Sequence, residues 1–148
     1  MNRFKWSNVP IPEGHVTLLV MGVVLHLWRP LRLFHVTWLR LLIGCLLLLG
    51  GILLAAWAVA AVKDDDIENP TTIITTGPYA YSRNPMYLAW TGIYVAAAVL
   101  VSTWWIILSL PILLLFTHYF VVQQEERQLE RQFGESYRQH RARVRRYL

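Results

Sequence analysis

The sequence predicts an all-α, polytopic membrane protein with about four transmembrane helices and a C-terminal cytoplasmic helical tail. Three observations predict it. Hydrophobic residues make up 55% of the chain and charged residues only 16%, against roughly 25% charged residues in soluble domains. Leu41 to Val62 is 22 residues without a charge, enough for a helix across a ~30 Å hydrocarbon core. Met86 to Val122 is 37 residues without Asp, Glu, Lys or Arg. As one helix it would be about 55 Å long, so it reads as two spans folded back at Ser102-Thr103. A very apolar soluble core is the competing reading, and the uninterrupted lengths weigh against it.

The elements follow in order within one membrane domain, residues 1–148. Residues 1–15 form a polar lead-in with Trp6, Pro10 and Pro12. The first span is placed at 12–28. "VTLLVMGVVLHLW", Val16 to Trp28, is short for a crossing and needs Ile11 to His15 to complete it; a re-entrant segment is the alternative. A polar stretch precedes it and no small-residue cleavage site follows, unlike a signal peptide. "RPLRLF", Arg29 to Phe34, is a short connector, so spans one and two are expected to form an antiparallel hairpin. The second span is placed at 36–62 and ends in "KDDDIENP", Lys63 to Pro70. Its acids Asp64, Asp65, Asp66 and Glu68 read as a solvated cap. A hard-cation site is the sharper reading, but the spacing is not that of a calcium loop.

Thr71 to Ile74 reads as extended, with β-branched residues in a row. Gly77-Pro78 is turn chemistry. Pro85 suits a first helical position, where its missing N–H does no harm, and Asn84 before it is a natural N-cap. The third span is placed at 86–101 and the fourth at 104–122, with a kink expected at Pro111. The charged, helix-forming stretch after Val122 continues the fourth span beyond the membrane, with Gly134 as an interruption or a tolerated weak point.

With four spans, both termini share a side with the 63–85 loop. That side carries eleven of the 14 Lys and Arg residues; the other carries Arg29, Arg32 and Arg40. The positive-inside bias makes the richer side cytoplasmic. The net charge of +5 needs no nucleic acid to explain it, since a basic tail beside a bilayer meets anionic headgroups. Cys45 is the only cysteine and reads as a small core residue. No His/Cys cluster has metal-ligand spacing, and His26 and His118 read as hydrogen-bonded packing within spans. Trp28, Trp38, Trp104 and Trp105 read as interface anchors.

"TTGPYAYSRNPMY", Thr75 to Tyr87, is a stiff, polar, aromatic box placed directly before an apolar span. Glu125 and Glu126 follow the next span, so a hairpin of those spans brings box and glutamates to one membrane face. Val122, Leu129 and Phe133 share a helix face with the glutamates beside it, which turns at least one carboxylate inward. An inward charge must be paired or change its protonation, and Glu126 and Glu130 at i,i+4 repel each other. Arg83 is one compensating partner; a ligand is another. The box offers an arginine for a carboxylate, tyrosine faces for a cation and a helix N-terminus. The glutamates accept from an ammonium or ribose hydroxyls. S-adenosylmethionine carries groups that match this inventory.

"GPYAYSRNPMY", followed about 40 residues later by "EERQLERQFGESYRQHRARV", resembles the C-terminal half of the integral-membrane methyltransferases. That superfamily includes isoprenylcysteine carboxyl methyltransferases and phospholipid N-methyltransferases. Its pattern runs roughly G-x-Y-x-x-x-R-H-P-x-Y-x-G, then E-E-x-x-L-x-x-x-F-G-x-x-Y, and the resemblance covers Thr71 to Val144. It implies S-adenosylmethionine at the cytosolic face and a lipophilic or small membrane-accessible methyl acceptor, in a small bacterial-type member placed in the inner membrane. Cofactor-site segments would be 71–87 and 121–144. By match to the motif, Tyr79, Asn84, Pro85, Met86 and Tyr87 would line the cofactor site, joined by Thr71, Thr72, Ile73 and Ile74, with Glu125 and Glu126 on the other side. Arg83 would orient a carboxylate or the acceptor, and Arg83 and Glu126 would be the catalytic pair.

Three departures qualify the resemblance. Asn84 stands where the pattern has histidine and cannot titrate near neutral pH. Ala89 stands where it has glycine. Val121 stands where the prenylcysteine enzymes resemble one another in carrying an arginine, which counts against a prenylcysteine carboxylate as acceptor. Two other functions compete. An NADPH-dependent membrane reductase of the sterol-reductase type has a similar turn, but it would call for several basic residues near the box, which has only Arg83. A non-catalytic membrane scaffold would use the box as a structural cap.

Overall fold

Helices make up the regular structure of the computed structural model, which describes residues 12–62 and 71–147. The acidic loop Lys63 to Pro70 and the lead-in, with Arg3, Lys5, Trp6 and Pro10, lie outside the described residues. In chain order the helices are α1 (Glu13–Trp28), α2 (Thr37–Val62), α3 (Pro85–Val101), α4 (Trp104–Phe116), α5 (Gln123–Phe133) and α6 (Glu135–Arg143). A 3₁₀ turn, Gly77–Ala80, precedes α3, and a π-helical segment, Thr117–Val122, joins α4 to α5. Among the described residues β pairing is limited to isolated bridges, and Thr71 to Ile74 is irregular backbone.

Two helical stretches are long and apolar enough to cross a membrane. One is α2. The other is the 30-residue run Trp104–Phe133, in which α4, the π segment and α5 are continuous. Helices α1 and α3 are apolar but shorter, at 16 and 17 residues, or about 24 and 26 Å. Pro111 lies inside α4, and a π-helical segment follows at Thr117–Val122. Gly134 ends α5 at φ 54°, a conformation open to a residue without Cβ, so it is a true break before α6.

The chain reverses at Ser102-Thr103, as its sequence predicts. Ser102 is left-handed at φ 59°, and Thr103 caps α4 by accepting from the Trp105 N–H at 3.3 Å. The expected α1–α2 hairpin is not the packing arrangement: α2 packs chiefly on α3, and α1 on α4. The reason lies in the connector, which is laid along the α3–α4 turn. The Trp104 N–H donates to the Leu31 carbonyl at 3.0 Å and the Leu33 N–H to the Ser102 carbonyl at 3.1 Å. Ser102 Oγ accepts from the Phe34 N–H at 2.8 Å and donates to the Phe34 carbonyl at 3.0 Å. These bonds satisfy polar backbone at the bundle end and send α2 to the other side of α3.

Glycines set the helix spacing. A Cβ on Gly51 would meet Ile93 Cγ1 at 2.7 Å and the Ala89 carbonyl at 3.1 Å, and one on Gly44 would meet Leu100 Cδ2 at 2.5 Å. On α1, a Cβ at Gly22 would meet Ile106 Cγ1 at 2.6 Å. Between helices that gain nothing by escaping lipid, such close approach is the main source of cohesion. Tyr94, Ala98, Ile106 and Leu113 form the buried centre, where the Tyr94 hydroxyl and Ser109 Oγ lie 2.6 Å apart. The outward faces carry exposed apolar side chains, including Val24, Leu46, Leu53, Leu108, Ile112 and Leu115. Trp28 and Trp38 are also exposed, as interface anchors require.

Gly51→Val should lower the thermal midpoint of the detergent-purified protein, by overpacking worth about 1–3 kcal/mol. Gly50→Val should leave it unchanged, because nothing lies within 4 Å of a Cβ there. Equal effects of the two would mean that α2 does not pack on α3 through Gly51.

Candidate functional site

The box is set against the end of α2 by its glycine. Gly77 is at φ 60°, and a Cβ on it would meet Ala61 Cβ at 2.8 Å, so the turn lies directly on the helix. Met86, the second residue of α3, is buried with Ala58 and Val59, and Tyr79 packs against them. Pro85 opens α3 as expected, but Asn84 caps nothing with its side chain. Its Nδ2 donates instead to the Arg146 carbonyl at 3.1 Å.

That bond reveals a feature beyond the expected 121–144 segment. After α6 the chain turns back, and Val144 to Tyr147 lies across the box as a strap. The Arg83 N–H donates to the Arg145 carbonyl at 3.0 Å, and Ser82 Oγ donates to the Arg146 carbonyl at 3.3 Å. Ser82 Oγ also accepts from the Asn84 N–H at 3.2 Å. Inside the strap, Glu126 is held by two guanidinium groups. Arg146 grips it bidentately, Nε to Oε1 at 3.0 Å and Nη2 to Oε2 at 2.7 Å. Arg83 Nη1 lies 2.9 Å from Oε1, an ionic contact without good hydrogen-bond alignment, and Arg83 Nε has no hydrogen-bond partner among the described residues. The Glu126 and Arg83 side chains are 8% and 9% exposed, so this is a buried cluster in which each charge depends on the others. Its bond to Glu126 pushes the Arg146 guanidinium still further up. Arg146 Nη1 also lies 3.3 Å from His118 Nε2. A guanidinium only donates, so Nε2 is the acceptor and a neutral ring carries its proton on Nδ1, 3.0 Å from the Tyr147 hydroxyl. The like-charge pair of the sequence is thus separated: Glu126 goes to Arg83 and Arg146, Glu130 to Arg138 and Arg141 at 3.0 and 3.3 Å.

Beside this lock lies a cavity of about 440 Å³, within the usual range of ligand pockets, roughly 300–1,000 Å³. Thr72, Ile73, Ile74, Tyr79 and Arg83 to Tyr87 form one wall, and Glu125, Glu126, Gln128, Leu129 and Gln132 the other. Tyr137 and His140 of α6 close it. Of the residues expected here, Thr71 falls outside the lining. Glu125 is the cavity's accessible carboxylate, accepting from the Tyr87 hydroxyl at 2.6 Å. The surrounding walls push its carboxyl up; the Tyr87 hydrogen bond opposes this and the Glu126 charge adds to it. Burial, then the Glu125 charge, pushes the Tyr79 hydroxyl up to about 12. Burial, then the Arg83 charge, lowers His140. The cavity therefore presents one carboxylate among neutral hydroxyls and apolar walls, and its cations are engaged with Glu126. Such a set holds a cationic ligand with an apolar body. Sequence reasoning read His118 as hydrogen-bonded packing, as its contacts to Tyr147 and Arg146 show, and missed Ser82, Tyr137, His140, Arg146 and Tyr147. Tyr137 was within reach, as the final tyrosine of the E-E…F-G-x-x-Y pattern; nothing local marks the others.

A model of phospholipid methyltransferases matches residues 39–136, about two thirds of the chain, from α2 into the start of α6. It contains both long walls of the cavity and stops short of the strap. No curated protein matches the chain, and no solved structure does.

Glu126→Ala would leave the buried Arg83 and the half-buried Arg146 without their counter-charge, and should destabilise the protein by about 3 kcal/mol and expose residues 144–147 to proteolysis. An unchanged thermal midpoint would show that the lock is not structural. Glu125→Gln should do the opposite. A carboxyl raised in the folded state stabilises below its ordinary value of 4.5 and loses that contribution as pH rises through the folded value. The variant should match wild type at acid pH and exceed its thermal midpoint at neutral pH; a constant offset across pH would show that the folded protein does not raise this carboxyl.

Proposed function

The chain belongs to the phospholipid methyltransferase family and is an integral membrane methyltransferase, and on that footing we propose that its cavity binds S-adenosylmethionine and transfers the methyl group to a lipophilic acceptor at the membrane surface. The observation that carries this reading is Glu125, a solvent-accessible carboxylate held by Tyr87 in a cavity whose other charges are internally paired. The cofactor, when bound, supplies an electrophilic methyl group on a sulfonium. Glu125 would accept from its cationic amino-acid portion, and Arg83 Nε, which has no hydrogen-bond partner among the described residues, would donate to its carboxylate. Ile73, Ile74, Met86 and Leu129 would flank the flat base. Tyr79 and Tyr87 remain neutral hydroxyls that orient without competing as nucleophiles. Glu126, expected in the catalytic pair, would act by positioning Arg83 and the strap. In-line displacement needs alignment and exclusion of water above all, and a cavity walled by the box and α5 and closed by α6 offers both.

The proposed membrane arrangement keeps four crossings, with α1 and α3 as short spans and the cavity, the termini and the tail on the cytoplasmic side of a bacterial inner membrane. α3 places the cavity at one end of the bundle, where an acceptor anchored in the bilayer presents its headgroup. The reductase reading needs several free cations for an extra phosphate, whereas Arg83 keeps only Nε beyond its contact with Glu126 and Arg146 does not line the cavity.

Calorimetric titration of the purified protein with S-adenosylhomocysteine and with NADPH tests this. Saturable binding of the first alone is expected, and Glu125→Ala and Tyr87→Ala should weaken it tenfold or more, about 1.4 kcal/mol. Binding of NADPH alone, or unchanged affinity in both variants, would overturn the assignment.

A further inference from the structure

A second cavity, of about 360 Å³, lies at the opposite end of the bundle, separated from the first by the 17 residues of α3, about 26 Å. His26 of α1, Arg32 and His35 of the connector, Thr37 and Arg40 of α2, and Ser102 of the α3–α4 turn line it. Among the described residues no carboxylate lines it, and the sequence carries no Asp or Glu from Gly14 to Lys63. Arg32 and Arg40 form no ion pair among the described residues. Arg40 Nε and His26 Nδ1 are buried without a hydrogen-bond partner there. α2 starts at Thr37, so its first backbone N–H groups, which have no intrahelical acceptor, and the positive end of its dipole lie at the same cavity.

Buried donors without acceptors are costly, and arginines that only reached for headgroups would keep their polar atoms in the interface. Here Arg40 Nε is buried beside a cavity that offers it no counter-charge among the described residues, with the exposed Arg32 at its edge. We propose that this cavity is a second binding site, for a phosphate oxyanion, in which Arg40, His26 and the α2 N-terminus hold the anion and Arg32 guards the mouth. A phosphodiester of an anionic lipid headgroup and free phosphate share this chemistry. The site is independent of the methyl-transfer cavity, and it gives a use to arginines on the face that the positive-inside bias leaves poor in cations.

Calorimetric titration of the full chain in neutral detergent, with dihexanoylphosphatidylglycerol and separately with inorganic phosphate, tests the proposal. Saturable binding of at least one is expected, weakened tenfold or more in Arg40→Gln and in Arg32→Gln and unchanged in Arg131→Gln on the exposed tail. Arg32 is exposed, so its variant keeps the test valid if Arg40→Gln fails to fold. Binding of the lipid alone assigns a headgroup; binding of phosphate as well assigns the oxyanion without its acyl chains. Binding of neither probe, or equal binding by wild type and Arg32→Gln, would overturn the site.

Discussion

The ion cluster of Glu126 with Arg83 and Arg146 is the interaction on which the architecture at the box end of the bundle depends. It ties three segments far apart in the chain: the box before α3, the rod that includes α5, and the strap after α6. The box, the α5 part of the rod and the strap are each polar, and none has an apolar core of its own. A carboxylate buried between two guanidinium groups is costly to separate, so the three segments stay together or come apart together. The backbone bonds of Arg83, Ser82 and Asn84 to the strap then fix their register.

Deeper in the bundle a different constraint operates. The interior offers few polar contacts, and lipid competes with it on equal terms. Cohesion therefore comes from close approach at Gly22, Gly44 and Gly51 and from the Tyr94–Ser109 contact. Ser102 carries the polar burden of the far end, because its hydroxyl both accepts from and donates to Phe34. The two ends of α3 consequently differ: an accessible carboxylate at one, and at the other Arg40 Nε and His26 Nδ1 without hydrogen-bond partners among the described residues.

Much of this was legible in the chain. The charge-free runs marked α2 and the rod, Ser102-Thr103 marked the reversal, and Pro85 marked the start of α3. The paired motifs brought the box and the glutamates to one cavity. Other features were not legible. Asn84 has the identity of a cap, but a carbonyl of the strap takes its side chain. The α1–α2 hairpin was expected from a short connector, yet hydrogen bonds to the α3–α4 turn redirect it.

The sequence by itself determined the helical class, the apolar stretches and the pairing of box with glutamates, because these follow from composition, length and spacing along one chain. Only the tertiary structure decided which glutamate faces the cavity, which arginines hold the other, and where unpaired donors collect. Adjacent residues such as Glu125 and Glu126 have the same chemistry and differ only in direction. Which is buried depends on the partner that arrives from elsewhere, here Arg146, about twenty residues further along.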